Sequence, residues 1–308
     1  MGLPVTVYRY TDAGAPQLVN NTPSEWINVL KKVLVEGYGD KQPLGWTLEF
    51  EDAGVRAVAF RNSTTDGGSG GYVKFYSVDG SDTANRVLGI KCALGMNDIN
   101  TFFKPLFARG LFVTNNYKGW EIIGTKRGFY LILHYTVNAN MTLQGTTSDN
   151  QVYFIGDMHS AIPNDVAPFT IVNGTGTNGD ATTCAGMVDT PNTLYAQLYS
   201  ADGSSVSTIH SFNKSYFYKD SSVYDGDAES LGINHLMHPV FIFGLASQNN
   251  NVGMPIGRGV VPGFHVSSFA GYRSATWPKV LNQNGVDWIL LRSYRSPQFW
   301  VSAGTWYD

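Results

Sequence analysis

The sequence predicts a mainly β protein, with antiparallel or mixed sheets in a sandwich-like or barrel-like arrangement. One amphipathic helix is expected near the N-terminus, which makes that part α+β. Three observations predict this class. The charged fraction is 15 %, whereas globular proteins carry roughly 25 %, and Gly, Asn, Ser, Thr and aromatic residues replace the missing charge. Short runs of β-branched and aromatic residues alternate with turn residues. A single segment shows the apolar spacing of a helix.

The helix has a clear start and stop. Thr22 can cap it, Pro23 suits its first turn, and Glu25 stands three residues after Thr22, as in a capping box. Apolar residues then recur at helical spacing within residues 23–36: Trp26, Ile27, Leu30, Val33 and Leu34. Gly37 or Gly39 is expected to end the helix, because glycine readily adopts the left-handed conformation of a C-terminal cap.

Almost all of the remaining chain reads as strand and turn. The clearest predicted strands cover residues 5–10, 57–61, 72–76, 120–125, 128–135, 152–157, 239–244, 288–292 and 299–302. The glycine-rich segment 64–70 is predicted to be a loop between two of these strands.

A weak domain boundary lies at the run of Gly, Thr and Asn that begins at residue 173. Residues 1–172 are predicted to form a β-rich domain that includes the helix, and residues 173–308 a second β-rich region. Aromatic strands occur at similar density on both sides of this run, so the two parts can pack as one unit.

Charge and hydropathy exclude two kinds of partner. The formal net charge is −3 and no Lys/Arg run is present, which argues against nucleic acid as a partner. No apolar stretch reaches the roughly 20 residues that span a bilayer, so no membrane association is expected. Cys92 and Cys184 lie far apart and match no metal-binding spacing, and we expect reduced, buried thiols.

The N-terminal residues show a specific order of motifs. Residues 7–18 form a strand followed by a Thr-Asp-Ala turn, and after the helix come Gly37-Tyr38-Gly39 and Gly45-Trp46. This order resembles the N-termini of a family of tailed-bacteriophage virion structural proteins. Shorter matches follow at residues 71–76, 129–131, 155–157 and 259–264, whereas residues 175–235 match nothing in the family pattern.

The resemblance implies a structural component of a tailed phage particle and not an enzyme. Its position is expected to be the tail or neck, including a collar or fibre, with the capsid surface left open. The implied partners are other virion proteins, with several symmetric copies of this chain forming a homo-oligomer. The implied location is the virion, assembled in the host cytoplasm. No cofactor is expected.

Two alternative functions stay open. The first is a host-receptor or carbohydrate-binding module of the particle, because exposed aromatic rings can stack on sugars. Its candidate contacts with a glycan or partner are Tyr294, Trp300, Trp306 and Tyr307. The second is a polysaccharide hydrolase, which needs two carboxylates in one cleft.

Motifs for other chemistry are incomplete. Asp157 and His159 have the spacing of an Asp-x-His metal motif, but no further metal-ligand motif accompanies them. His235 and His238 could face one ion on a helix, but Pro239 follows directly. The sequence therefore predicts no catalytic, cofactor-binding or metal-binding residues.

Overall fold

The computed structural model describes residues 2–84, 87–112, 117–136, 139–141, 151–174, 187–188, 194–204, 208–213, 236–245, 255–267, 272, 274–293 and 298–308. Strands make up 51 % of these described residues and form antiparallel sheets, with one short helical segment near the N-terminus. The predicted mainly β class is therefore confirmed. The described strands do not close into a barrel. No helix in the described part of the chain is long and apolar enough to span a bilayer.

Helix α1 is Pro23–Lys31, and it continues directly as the π-helical turn Lys32–Glu36. The strands are β1 (Leu3–Pro4), β2 (Thr6–Arg9), β3 (Thr47–Asp52), β4 (Ala57–Arg61), β5 (Tyr72–Ser77), β6 (Val87–Met96), β7 (Phe102–Phe112), β8 (Gly119–Thr125), β9 (Gly128–His134), β10 (Val152–Asp157), β11 (His159–Ser160), β12 (Phe169–Asn173), β13 (Tyr195–Leu198), β14 (Thr208–Asn213), β15 (Met237–Leu245), β16 (Pro255–Ser267), β17 (Val280–Gln283), β18 (Val286–Leu290), β19 (Phe299–Ser302) and β20 (Thr305–Trp306).

The strands form one large sheet and one smaller sheet. The small sheet has the order β3-β4-β5-β6-β7. The large sheet has the order β17-β18-β19-β16-β15-β14-β13-β12-β10-β9-β8-β2, and β11 also pairs with β16. Strands β1 and β20 pair with each other, which brings Leu3 opposite Trp306 and joins the two ends of the chain.

The predicted capping box starts the helix. The Glu25 backbone N–H donates to Thr22 Oγ1 at 3.4 Å, and the Thr22 N–H donates to Glu25 Oε2 at 3.2 Å. At the other end Gly37 has a φ of 81°, a conformation that glycine adopts at little cost. The helix and its π-helical turn together cover residues 23–36, as the sequence predicts.

The large sheet has a hydrophobic core on each face. Side chains of β8, β9 and β10 alternate between the two cores: Ile122, Leu131 and Tyr153 join the core under α1 and the small sheet, whereas Ile123, Tyr130 and Phe154 join the second core. Every residue of these three strands is buried as a result. The second core also contains Phe264 from β16 and Val301 from β19, so the large sheet must curve to bring these distant strands onto the same core.

The large sheet crosses the domain boundary that the sequence suggests. Strand β12, Phe169–Asn173, contains residues 172 and 173, and the strands on either side of it come from both halves of the chain. The described parts of the two halves therefore pack as one unit.

Candidate functional site

The two sheets have four edge strands, and two of these form hydrogen bonds with other parts of the molecule. On β2 the carbonyl of Val7 accepts a hydrogen bond from Lys41 Nζ at 2.9 Å. On β7 the carbonyl of Gly110 accepts one from the Tyr153 hydroxyl at 2.7 Å. Strands β3 and β17 are the other two ends, and in the described part of the chain no strand pairs with their outer sides.

Charged side chains protect β3 from pairing with another strand. It carries Glu49, Glu51 and Asp52, and Lys31 Nζ of α1 lies 2.8 Å from Glu51 Oε2. Charges on an edge strand oppose the approach of a second strand. The open side of β3 is therefore an unfavourable site for strand addition.

Strand β17 carries no charged side chain of its own, although Lys279 directly precedes it and Asp287 of β18 accepts a hydrogen bond from Asn282 Nδ2 at 2.7 Å. Its four residues, Val280, Leu281, Asn282 and Gln283, are uncharged, and Val280 is 41 % exposed. Exposed backbone N–H and C=O groups on an uncharged edge are a template for another extended chain. This edge is our candidate functional site.

The turn between β17 and β18 determines which backbone groups of β17 point outward. Asn284 and Gly285 have φ values of 55° and 77°, the conformation of a type I′ hairpin turn, for which Asn-Gly is the preferred sequence. Gln283 and Val286 flank this turn and face each other. Because hydrogen-bonded and non-hydrogen-bonded pairs alternate along an antiparallel ladder, the backbone groups of Asn282 point away from β18. The Asn-Gly pair is the local signal from which this hairpin, and with it the position of the site, could be predicted from the sequence.

Two of the candidate C-terminal aromatic residues are buried. Trp300 and Trp306 are 1 % and 2 % exposed, so neither ring is accessible to a sugar. Their burial contradicts the expectation that they contact a glycan or partner. The Trp306 ring packs at 85° to the Tyr130 ring in the second core. The apolar C-terminal strands bury their aromatic side chains in this structure. The sequence alone does not show whether an aromatic-rich strand is buried or exposed.

Tyr307 is partly buried. Its hydroxyl donates to the Asp157 carbonyl at 2.6 Å, and the Arg127 guanidinium lies 3.9 Å from its ring centroid. These contacts fix the ring within the protein. The fourth candidate contact, Tyr294, lies outside the described residues.

The Asp157 carboxylate is buried and hydrogen-bonded by donors of the protein. Ser69 donates its backbone N–H to Oδ2 at 3.0 Å and its hydroxyl to Oδ1 at 2.5 Å, and Arg127 Nε lies 3.4 Å from Oδ2. Burial raises the pKa of Asp157, and the hydrogen bonds from Ser69 and the charge of Arg127 oppose that rise. Among the described residues no group of three or more His, Cys, Asp or Glu side chains is placed to hold a metal ion. His238 is described, but His235 lies outside the described residues.

Two further carboxylates are buried beside arginines. Glu121 Oε1 lies 2.7 Å from Arg9 Nε, and Asp165 Oδ2 lies 2.8 Å from Arg258 Nε. Arg258 also donates to Asp165 Oδ1 at 2.9 Å, so this pair is bidentate. Each pair joins elements that are distant in the sequence, and each carboxylate is hydrogen-bonded by its arginine. These contacts account for both carboxylates within the fold.

His134 shares the Glu121 carboxylate. Its Nε2 lies 3.1 Å from Glu121 Oε2, and the Trp277 ring centroid is 4.4 Å from the imidazole centroid. Burial lowers the pKa of His134, and the contact with Glu121 offsets this only in part. Burial alone would raise the pKa of Glu121, but its contacts with His134 and Arg9 outweigh burial and keep the pKa below its ordinary value. The Glu121 carboxylate therefore accepts a hydrogen bond from the neutral imidazole of His134.

Cys92 is a buried free thiol, as predicted, and burial raises its pKa. An un-ionised buried thiol is unreactive. Cys184 lies outside the described residues.

Comparison of the sequence with models of known protein families and with curated proteins gives no match.

Proposed function

We propose that this chain is a structural component of a tailed phage particle that binds neighbouring virion proteins in the tail or neck. The observation that carries the proposal is the uncharged, exposed edge of β17 at the end of a large antiparallel sheet. Free sheet edges are a hazard that most proteins block. An unblocked edge is expected in a protein whose partner adds a strand to the sheet.

Two features of the sequence support the same role. The N-terminal motifs resemble virion structural proteins of tailed phages. The low charged fraction of 15 % suits surfaces that become buried between subunits, because the cores of protein interfaces are depleted in charged residues. In this proposal the chain occurs in several symmetric copies and has no catalytic activity.

Mass spectrometry of purified particles tests the proposal. We expect this chain in particles that have been purified from infected cells and washed at high salt. Detection of the chain in the infected cells together with its absence from the particles would contradict the proposal.

A proline substitution tests the β17 edge itself. In Asn282→Pro the lost N–H is the one that points outward, so the backbone hydrogen bonds with β18 are retained while a docking strand loses a donor. Asn282→Ala controls for the loss of the side-chain hydrogen bond from Asn282 to Asp287. Leu281→Pro is the matched control for damage to the hairpin, because the N–H of Leu281 faces Trp288 in β18. We expect the Asn282→Pro chain to fold with an unchanged circular dichroism spectrum and to be missing from particles. Normal incorporation of this variant would exclude the β17 edge as the assembly site.

A further inference from the structure

Both faces of the large sheet carry apolar side chains up to the β17 edge. On one face Val280 lies opposite Ile289 of the second core, and Val280 itself is 41 % exposed. On the other face Leu281 lies opposite Trp288. Both pack against a buried cluster that contains Trp300, yet both remain partly exposed. A strand added to β17 would therefore cover apolar side chains on both faces of the sheet.

Two residues of β17 present backbone groups to the open edge. The Leu290 N–H donates to the Lys279 carbonyl at 3.0 Å, so Lys279 bonds inward to β18. Because inward and outward residues alternate along the strand, the N–H and C=O groups of Val280 and Asn282 point outward. The edge ends on one side at Pro278, which has no N–H, and on the other at the Asn-Gly turn. Four backbone groups are therefore available to another strand.

We propose that the partner at this edge is β17 of a second copy of this chain, paired antiparallel about a twofold axis that places Leu281 opposite its counterpart. This inference rests on the proposed assembly role of the edge and names its partner. In this register Val280 of each copy exchanges two hydrogen bonds with Asn282 of the other, so all four outward groups are paired in both copies. Sliding one strand by two residues brings either Pro278 or the turn residue Asn284 into the ladder, and hydrogen bonds are lost.

The side chains are also self-complementary in this register. Leu281 meets its counterpart at a non-hydrogen-bonded position, where side chains approach closely in an antiparallel pair. Trp288 lies on the outer side of each Leu281, so four apolar side chains form one row across the interface. Both the backbone groups and this row match their own copies, as a twofold interface requires.

The two charges nearest to the edge do not oppose the pairing. Lys279 would face Gln283 of the second copy, and its ammonium lies 4.8 Å from the ring centroid of Tyr272 in its own chain. Asp287 accepts a hydrogen bond from Asn282 and is separated from the second copy by β17. The two copies of Lys279 lie at opposite ends of the paired strands. No like charges stand directly opposite each other, an arrangement that would destabilise an antiparallel pair.

Cysteine cross-linking in the purified full chain tests the pairing. Leu281→Cys would place two thiols opposite each other with their Cα atoms about 4.5 Å apart, close enough for a disulfide. We expect it to form a linked dimer at least about tenfold faster than Val78→Cys, because pairing holds the two thiols together. Val78, in the turn after β5, is 41 % exposed and more accessible than Leu281, so random collisions would favour the control. The unmodified chain gives the background from Cys92 and Cys184.

Further variants test the register and the hydrogen bonds. Lys279→Cys chains should cross-link to Gln283→Cys chains but not to each other, because the two copies of Lys279 lie about 14 Å apart along the paired strands. Asn282→Pro, added to Leu281→Cys, should remove the rate advantage, whereas Asn282→Ala should retain it. Sedimentation of the unmodified chain should show a mass that rises from one chain toward two as the concentration increases.

Three results would overturn this pairing: equal cross-linking rates for Leu281→Cys and Val78→Cys, self-cross-linking of Lys279→Cys as fast as that of Leu281→Cys, and sedimentation as a single chain at every concentration. In assembled particles, photo-cross-linking from position 281 to a different protein would overturn it too and assign the edge to that protein. A monomeric purified chain that is present in particles would overturn the pairing and leave the proposed particle role standing. A purified dimer that is absent from particles would do the reverse.

Discussion

The guanidinium carbon of Arg127 lies 3.9 Å from the ring centroid of Tyr307, and both side chains also contact Asp157. Ser69 reaches the same carboxylate from the glycine-rich loop between β4 and β5. Asp157 thus joins that loop, the turn between β8 and β9, and the C-terminal segment. A cluster that joins three distant segments contributes to stability through contacts that are lost together on unfolding.

Removal of Arg127 should destabilise the protein strongly. Arg127→Ala leaves the Asp157 carboxylate buried without its ion partner, and breaking a buried pair from one side costs about 3 kcal/mol or more. Urea unfolding measures this change. Lys32→Ala is the control, because the Lys32–Glu36 pair is exposed and such pairs contribute about 0.5 kcal/mol or less. Similar losses in the two variants would contradict a buried role for Arg127.

The N-terminal cap of α1 gives a second prediction. Thr22→Ala removes the acceptor for the Glu25 N–H, and loss of such a cap costs about 1 kcal/mol. Thr22→Ser keeps the acceptor and should change the free energy of unfolding by much less. Chemical denaturation of both variants gives the comparison, and an unchanged stability of Thr22→Ala would show that the cap does not contribute.

The helix could be predicted because its signals are local. Thr22, Pro23 and Glu25 act on neighbouring backbone groups, so their spacing in the sequence is sufficient to place the helix start. Most strands could be predicted for the same reason, since alternation and turn residues are local features.

The order of the strands and the environment of the aromatic residues could not be predicted. Trp300 lies on β19, which pairs with β16 and β18, and only that pairing places its ring inside the protein. The Leu281–Trp288 pair depends on the register between β17 and β18. Shifting a strand by one residue turns each side chain to the other face, so a juxtaposition of this kind cannot be inferred from sequence spacing alone.

Acidification should destabilise the fold through His134. Burial lowers its pKa from the ordinary value of 6.5, so the unfolded chain takes up a proton at a higher pH than the folded protein does. The free energy of unfolding therefore falls as the pH falls from 6.5 toward the lowered pKa. The lowered pKa of Glu121 extends this loss below its ordinary value of 4.5. Urea unfolding at about pH 7.5 and about pH 5.5 measures the first part of the effect.

Two glutamine variants identify the histidine responsible. His134→Gln keeps a donor for Glu121 and should lose less stability between these two pH values than the unmodified protein does. The pKa of His265 is also lowered by burial, so part of the pH dependence should persist in this variant. His159→Gln makes the same substitution at a less buried histidine of β11 and controls for the effect of the substitution itself. An undiminished pH dependence in His134→Gln would exclude His134 as a source.

A comparison of Gly263 with Gly80 separates the cost of an unfavourable backbone conformation from the cost of a steric clash. Its φ is 70°, and an added Cβ would lie 2.1 Å from Trp306 Nε1. Gly80 has a φ of 74°, but an added Cβ would meet no atom within 4 Å. Gly80→Ala should therefore cost only the strain of the left-handed conformation, about 1 kcal/mol. Gly263→Ala adds displacement of a buried tryptophan, and overpacking of this kind costs about 1–3 kcal/mol more.

Thermal and urea unfolding of the two variants measure the difference. Equal destabilisation would mean that the Trp306 ring moves away from the added methyl group without a cost in stability. Since Trp306 packs in the second core and pairs with Leu3 through β1 and β20, Gly263→Ala should also loosen the contact between the two ends of the chain.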